Sequence, residues 1–241
     1  TTSGGDAIFH GNAKGAGTES GFTLYTSTID TGEGNISITG TSTGDTSNPK
    51  GIEISANDSV SSIIRTTEGD IDLIGNAANG HALYFWKDSQ VSTTDGNINI
   101  EALSSSTNDI AASAGATHTI FSTNGDVTLK TNTSVLENFS SIYAGNTLSI
   151  FTINPTTTIG IGDGASGTLF LKNTELAILN AGNKIVIGKD GTLTGDIDLN
   201  AWDMTGKSFD LEIYGNDINM GGITMGEGSI LAHAQDSGGD V

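Results

Sequence analysis

The 241 residues carry 28 acidic against 9 basic side chains, for a formal net charge of −19, which excludes the basic stripe that a nucleic-acid backbone demands. The chain has no cysteine, so a disulfide framework and a thiolate zinc site are also excluded. Its 34 glycines and 2 prolines accompany short alternating runs of Ile, Leu, Val and Phe that can bury a core, and no apolar run approaches the roughly 20 residues of a membrane span.

Thr1-Thr2-Ser3-Gly4-Gly5 shows no basic-then-apolar leader pattern. The first predicted strand is opened by glycine, Gly21-Phe22-Thr23-Leu24, and has counterparts in Gly51-Ile52-Glu53-Ile54 and Gly80-His81-Ala82-Leu83. Between and after these lie four copies of one template, centred on Gly34, Gly69, Gly96 and Gly125. Five positions before each glycine stand Ile29, Ile64, Val91 and Ile120; three before stand Thr31, Thr66, Thr93 and Ser122. Immediately after come Asn35, Asp70, Asn97 and Asp126, and two after come Ile36, Ile71, Ile98 and Val127. Alternation of apolar residues with period two makes strands with one buried face, and the central x-Gly-Asn/Asp step is predicted to turn through positive φ.

The copies are unequally spaced yet agree position by position, the signature of a repeat whose members stack. The predicted fold is all-β, a right-handed parallel β-helix of roughly 8–11 triangular coils, each one strand spacing (~4.8 Å) high. Residues 1-241 form one segment. Ile36, Ile71, Ile98 and Val127 are expected to form an internal column, with Thr31, Thr66, Thr93 and Ser122 as a polar ladder. The outward order Asn35, Asp70, Asn97, Asp126 keeps one Asp from stacking on another, although ordinary turn preference accounts for it as well.

Further along, Gly145-Asn146-Thr147-Leu148, Gly182-Asn183-Lys184-Ile185 and Gly215-Asn216-Asp217-Ile218 repeat the idea with one residue inserted, and Gly195-Asp196-Ile197-Asp198-Leu199 returns to the first form. No capping element is recognisable at either end, so the segment reads as the interior of a longer rod.

The phrase Thr-x-x-Gly-Asn/Asp-Ile-x-Ile/Leu, at Thr66 to Leu73 and Thr93 to Ile100, resembles the filamentous-haemagglutinin-type large exoproteins of Gram-negative bacteria, passengers of two-partner secretion. The resemblance spans essentially the whole chain, although the secretion domain of those proteins is not recognisable here. It implies a right-handed β-helix exported to the bacterial surface or medium, with a role in adhesion or cell-cell contact. The partners it implies are surface molecules of a host or neighbouring cell, glycans among them, and like rods associating side by side or end to end.

Two enzyme motifs match by spacing alone. Gly40-Thr41-Ser42-Thr43-Gly44 has the form of a nucleophile elbow without the helix that must follow, and Gly162-Asp163-Gly164-Ala165-Ser166-Gly167 has the form of a dinucleotide fingerprint followed by a strand. The four histidines, His10, His81, His118 and His233, lack metal-ligand spacing and are expected at surface or corner positions. Asp70 with Asp72, and Asp196 with Asp198, are readable as calcium chelators, as a glycosidase acid pair, or as solvated strand faces; no calcium loop surrounds them, which favours the last. The cluster Tyr84-Phe85-Trp86 should put Tyr84 and Trp86 on one face, as contacts for carbohydrate or as packing that plugs a wide coil; Trp202 is similarly ambiguous. Thr41 to Lys50 and Ser104 to Thr117 read as insertions. No catalytic, metal or cofactor residues are assigned. The expected function is that of a structural rod in an adhesin, with a carbohydrate-active β-helix enzyme as the alternative.

Overall fold

The structure is a computed structural model that describes residues 4–14, 17–44, 48–105, 108–189 and 195–235. It is all-β, built from parallel sheets stacked strand upon strand. The longest sheet has nine strands among the described residues: Ala7–Ala13, Ile36–Ser42, Ile71–Ala77, Ile98–Ser104, Val127–Thr131, Thr147–Phe151, Lys184–Ile187, Asp210–Gly215 and Ile230–Ala234. A five-stranded sheet contains Phe22–Tyr25, Ile52–Ser55, Leu83–Trp86, Ile110–Ala112 and Ser134–Val135. A six-stranded sheet begins with Thr28–Asp30 and Ser62–Arg65 and ends with Ser141–Ala144 and Leu179–Ala181. From Thr28 to Ala144 the chain visits the six-stranded, the nine-stranded and the five-stranded sheet in unbroken rotation, and each strand pairs with its counterpart one rotation later.

The register reproduces the column read from the sequence. Ile36 pairs with Ile71, Ile71 with Ile98 and Ile98 with Val127; Leu148, Ile185 and Leu211 continue the line. All seven are 0% exposed. Period-two alternation sends every second side chain inward, and each such aliphatic contributes about 1.5–3 kcal/mol on leaving water.

The Thr/Ser ladder is buried as well, and it satisfies backbone at the corner. The Thr31 hydroxyl donates to the Gly34 carbonyl at 2.6 Å, the Thr66 hydroxyl donates to the Gly69 carbonyl and lies 2.8 Å from the Thr93 hydroxyl, and the Ser122 hydroxyl donates to the Gly96 carbonyl at 2.7 Å. Outside the corner, the alternation of Asp and Asn has a concrete use. The Oδ1 atoms of Asp6, Asn35, Asp70 and Asn97 accept the backbone N–H of Asn35, Asp70, Asn97 and Asp126 at 2.7–2.9 Å. Asn97 also donates its amide to Asp70 at 3.2 Å, a bond that a second Asp would replace with repulsion.

The template glycines correct one expectation. Gly34, Gly69, Gly96 and Gly125 do not have positive φ; a Cβ on any of the last three would overlap the carbonyl oxygen of the glycine one rotation below. Close approach of stacked backbones excludes the side chain there. Left-handed conformation is required elsewhere, at Gly162 and Gly164, φ +87° and +88°. These two let the chain double back within seven residues so that Ile159–Ile161 and Leu169–Leu171 lie side by side in parallel.

Three further readings are corrected. Gly195 and Gly215 do not precede strands of the long sheet: Ile197–Leu199 and Ile218–Met220 pair in a four-stranded sheet, and Asp210–Gly215 takes the long-sheet position instead. Leu211-Glu212-Ile213 alternates just as Ile218-Asn219-Met220 does, so alternation alone does not distinguish them. Ser104 to Thr117 is not an insertion, since Ile110–Ala112 is a strand of the five-stranded sheet. A short helix, Asn173–Ala177, has no counterpart in the repeat pattern. In the other predicted insertion, Thr41 and Ser42 belong to the strand Ile36–Ser42, and residues 45–47 lie outside the described residues.

Candidate functional site

The two motif-like glycine segments have structural roles. Ser42 ends a strand, is buried, and donates its hydroxyl to the Glu19 carbonyl at 3.2 Å, so it is no nucleophile at an exposed elbow. The segment Gly162 to Gly167 is the tight return between paired strands.

The paired carboxylates are taken up by neighbouring rungs. Asp72 accepts the Asn99 amide at 2.9 Å. Asp196 accepts the Asn216 amide at 3.0 Å, and Asp198 accepts the Asn219 amide at 2.8 Å and the Ser166 N–H at 2.7 Å. Asp196 and Asp198 border a shallow groove of about 470 Å³, but their lone pairs hold the strands together. Among the described residues no group of three or more His, Asp or Glu side chains is placed to hold a metal ion.

The histidines divide. His10 and His233 are exposed and His81 is partly covered, whereas His118 is 0% exposed, against the surface or corner position expected of it. It begins a strand at an inward position and packs against Phe85 and Phe139, ring centroids 6.1 and 6.0 Å away. Its Nε2 lies 3.1 Å from the Ser113 carbonyl, which can only accept, so Nε2 carries the proton and Nδ1 is a buried lone pair without a partner. Burial holds the imidazole below its ordinary value of 6.5, against the opposing pull of Ser113 and Asp88. A histidine whose folded pKa is depressed binds fewer protons folded than unfolded, so stability is full above about pH 6.5 and falls as pH drops through that value. His118→Leu should therefore flatten the urea midpoint between about pH 5 and 7 relative to the parent. Equal slopes for the two proteins would show that His118 does not carry the effect.

The aromatic cluster lies on the five-stranded sheet. Alternation places its rings as expected: Phe85 is 0% exposed and stacks edge-on to Phe139 at 4.9 Å, while Trp86 is 43% exposed. Packing therefore accounts for Phe85, and Trp202, also buried, is packed with Phe209. The outer face carries a continuous set of rings: His81 stacks on Tyr84 at 5.0 Å and 10°, and Tyr84 lies 6.0 Å from Trp86. Lys50 Nζ sits 5.3 Å from the Tyr84 ring centre. His81 donates Nδ1–H to the Asn108 carbonyl at 2.9 Å, which fixes its ring, and burial with nearby Lys50 holds it below the ordinary imidazole range. Partial burial, helped by the Glu53 charge, holds the Tyr84 phenol above its usual value. Both groups are thus neutral near pH 7.

No family model, curated protein or solved structure matches the chain. The face itself carries the remaining argument. Register puts Tyr25, Ser55 and Trp86 in one line across three rungs, with Tyr25 60% exposed, Trp86 exposed as well and Ser55 buried between them. Tyr25 escaped the sequence reading because it stands alone; the signal was its template position, four residues after Gly21, matched by Trp86 six after Gly80 once the strands are aligned by Leu24 and Phe85.

Proposed function

We propose that the chain is a segment of a right-handed parallel β-helix acting as a stiff rod in a secreted or surface-attached adhesin, and that it contacts surface molecules of other cells without catalysing a reaction. The observation that carries this reading is the unbroken nine-strand parallel register, along which the outward carboxylates of Asp70 and Asp72 are spent on rung-to-rung hydrogen bonds. Such stacking gives a body whose length scales with the number of rungs, about 4.8 Å each. The acidic surface keeps it soluble and resists unspecific lateral contact.

Small-angle scattering tests the shape. A rod with a constant cross-section, about 40 Å long for nine rungs, is expected; a globular profile would sink the rod. Release of reducing ends from any polysaccharide, abolished by Asp198→Ala, would replace this reading with the enzyme alternative.

A further inference from the structure

We infer that the outer face of the five-stranded sheet is a binding platform for a neutral, pyranose-based glycan chain, with Tyr25 and Trp86 as its two stacking rings. Three observations meet there. The first is exposure in register: Tyr25 and Trp86 flank Ser55 on consecutive rungs, so their backbones stand two strand spacings, about 10 Å, apart. That is the span of two linked sugar rings, so one chain running along the stacking direction can lay alternate rings on the two aromatics.

The second is strain. Thr26 and Lys87, each directly after one of these aromatics, have positive φ of 48° and 56°. Left-handed backbone at a β-branched residue is costly, and such outliers gather at functional sites. The hydroxyl of Thr26 is also buried without a partner. Each turn is held from the next rung: Thr26 N–H donates to the Ser55 carbonyl at 2.9 Å, and Lys87 N–H to the Ser113 hydroxyl at 3.0 Å. The rings are thereby carried on fixed corners and not on mobile loops, which lowers the ordering cost of binding.

The third is charge. The face offers both signs at close quarters, Glu53 and Asp58 beside Lys50 and Lys87, and Lys87 is already paired with Asp58. On a chain of net charge −19, that balance disfavours a sulfated or uronic-acid polymer and suits a neutral one. Glu53, which accepts the Ser20 hydroxyl at 2.9 Å, stands next to Tyr84 in register and offers a carboxylate acceptor to sugar hydroxyls. The aromatic ledge ends at Ala111, the neighbour of Tyr84 on the next rung.

The inference rests on the adhesin reading for its biological sense, but its test is separate. Trp202 is buried, so fluorescence changes on adding a sugar report on Trp86. The whole chain is titrated with cellohexaose, chitohexaose, xylohexaose and mannohexaose, with heparin as the charged comparator. Saturable quenching by at least one neutral hexaose is expected, and Tyr25→Ala, read through Trp86, should weaken it tenfold or more while Tyr25→Phe keeps it. Trp86→Ala, followed by calorimetry, should weaken binding equally. Both rings are exposed, so an unchanged circular dichroism spectrum is expected of each variant. Absence of a saturable response to all four neutral hexaoses, binding unaffected by both alanine variants, or tighter binding of heparin would each overturn the platform. Failure here would leave the rod dimensions standing, whereas a globular scattering profile would remove the rod and leave the platform intact.

Discussion

Replacing Gly96 with alanine should lower the unfolding free energy by about 3 kcal/mol or more, far beyond the ~1 kcal/mol typical of a point substitution. The added methyl carbon would overlap the Gly69 carbonyl oxygen and lie 2.5 Å from its carbonyl carbon, with the Glu68 oxygen at 2.9 Å. Those atoms are backbone, stacked one rotation below, and they cannot turn aside as a flexible side chain would. Relief requires the two rungs to part, which lengthens the bonds that Thr93 makes at the same corner: its hydroxyl accepts from Gly96 N–H at 3.1 Å and reaches the Gly69 carbonyl at 3.2 Å. Gly222 is the control, since a Cβ there meets nothing within 4 Å and its φ is not left-handed. Gly222→Ala should shift the urea midpoint little, by about 0.5 kcal/mol or less. Equal shifts for the two alanines would mean that the glycine column is a matter of turn preference and not of stacking distance.

The same residues show what a sequence discloses about this fold. The column from Ile36 to Val127 is legible because four copies agree at every template position, and only in-register stacking gives such agreement a physical purpose. The glycine between the strands is legible as necessary but not for the right reason: a residue forced by positive φ and one forced by contact with a neighbouring rung look alike in one dimension. The later copies mislead because Gly195 and Gly215 carry the same local signal as Gly145 and Gly182, while sheet membership depends on how much chain is spent on the return at Gly162 to Gly167. Ile110-Ala111-Ala112 is too short and too small to announce a strand, and His118 gives no sign of burial until its inward position is known. For the candidate platform, Tyr84 and Trp86 could be placed on one face by alternation, but Tyr25, some sixty residues earlier, joins them only through register.

Asp109 is the residue that sequence reasoning passed over, and its loss should be as costly as that of any stacked glycine. It stands just before Ile110, in line with Gly51 and Ala82 on the two preceding rungs, so a carboxylate occupies a position that otherwise takes the smallest side chains. It is 0% exposed. One oxygen accepts the Ser104 N–H, and the other accepts Asn132 N–H at 2.6 Å, Thr133 N–H at 3.0 Å and the Thr131 hydroxyl at 3.1 Å. The side chain therefore ties the exit of one long-sheet strand to the exit of the next, where both chains turn toward the five-stranded sheet. Asp109→Ala leaves these donors to water or to nothing, at about 1–3 kcal/mol for each that stays buried and unpaired, so a total near 3–5 kcal/mol is expected. Asp109→Asn keeps the shape but exchanges one acceptor oxygen for a donor group, and should fall between the parent and the alanine variant. Hydrogen exchange separates a local from a global effect: the amides of Ser104, Asn132 and Thr133 should lose protection first, while Leu83, whose N–H donates to the Asp109 backbone carbonyl at 2.8 Å, should keep it longer. Retained protection at all three amides in Asp109→Ala would show that other acceptors replace the carboxylate and that the corner does not depend on it.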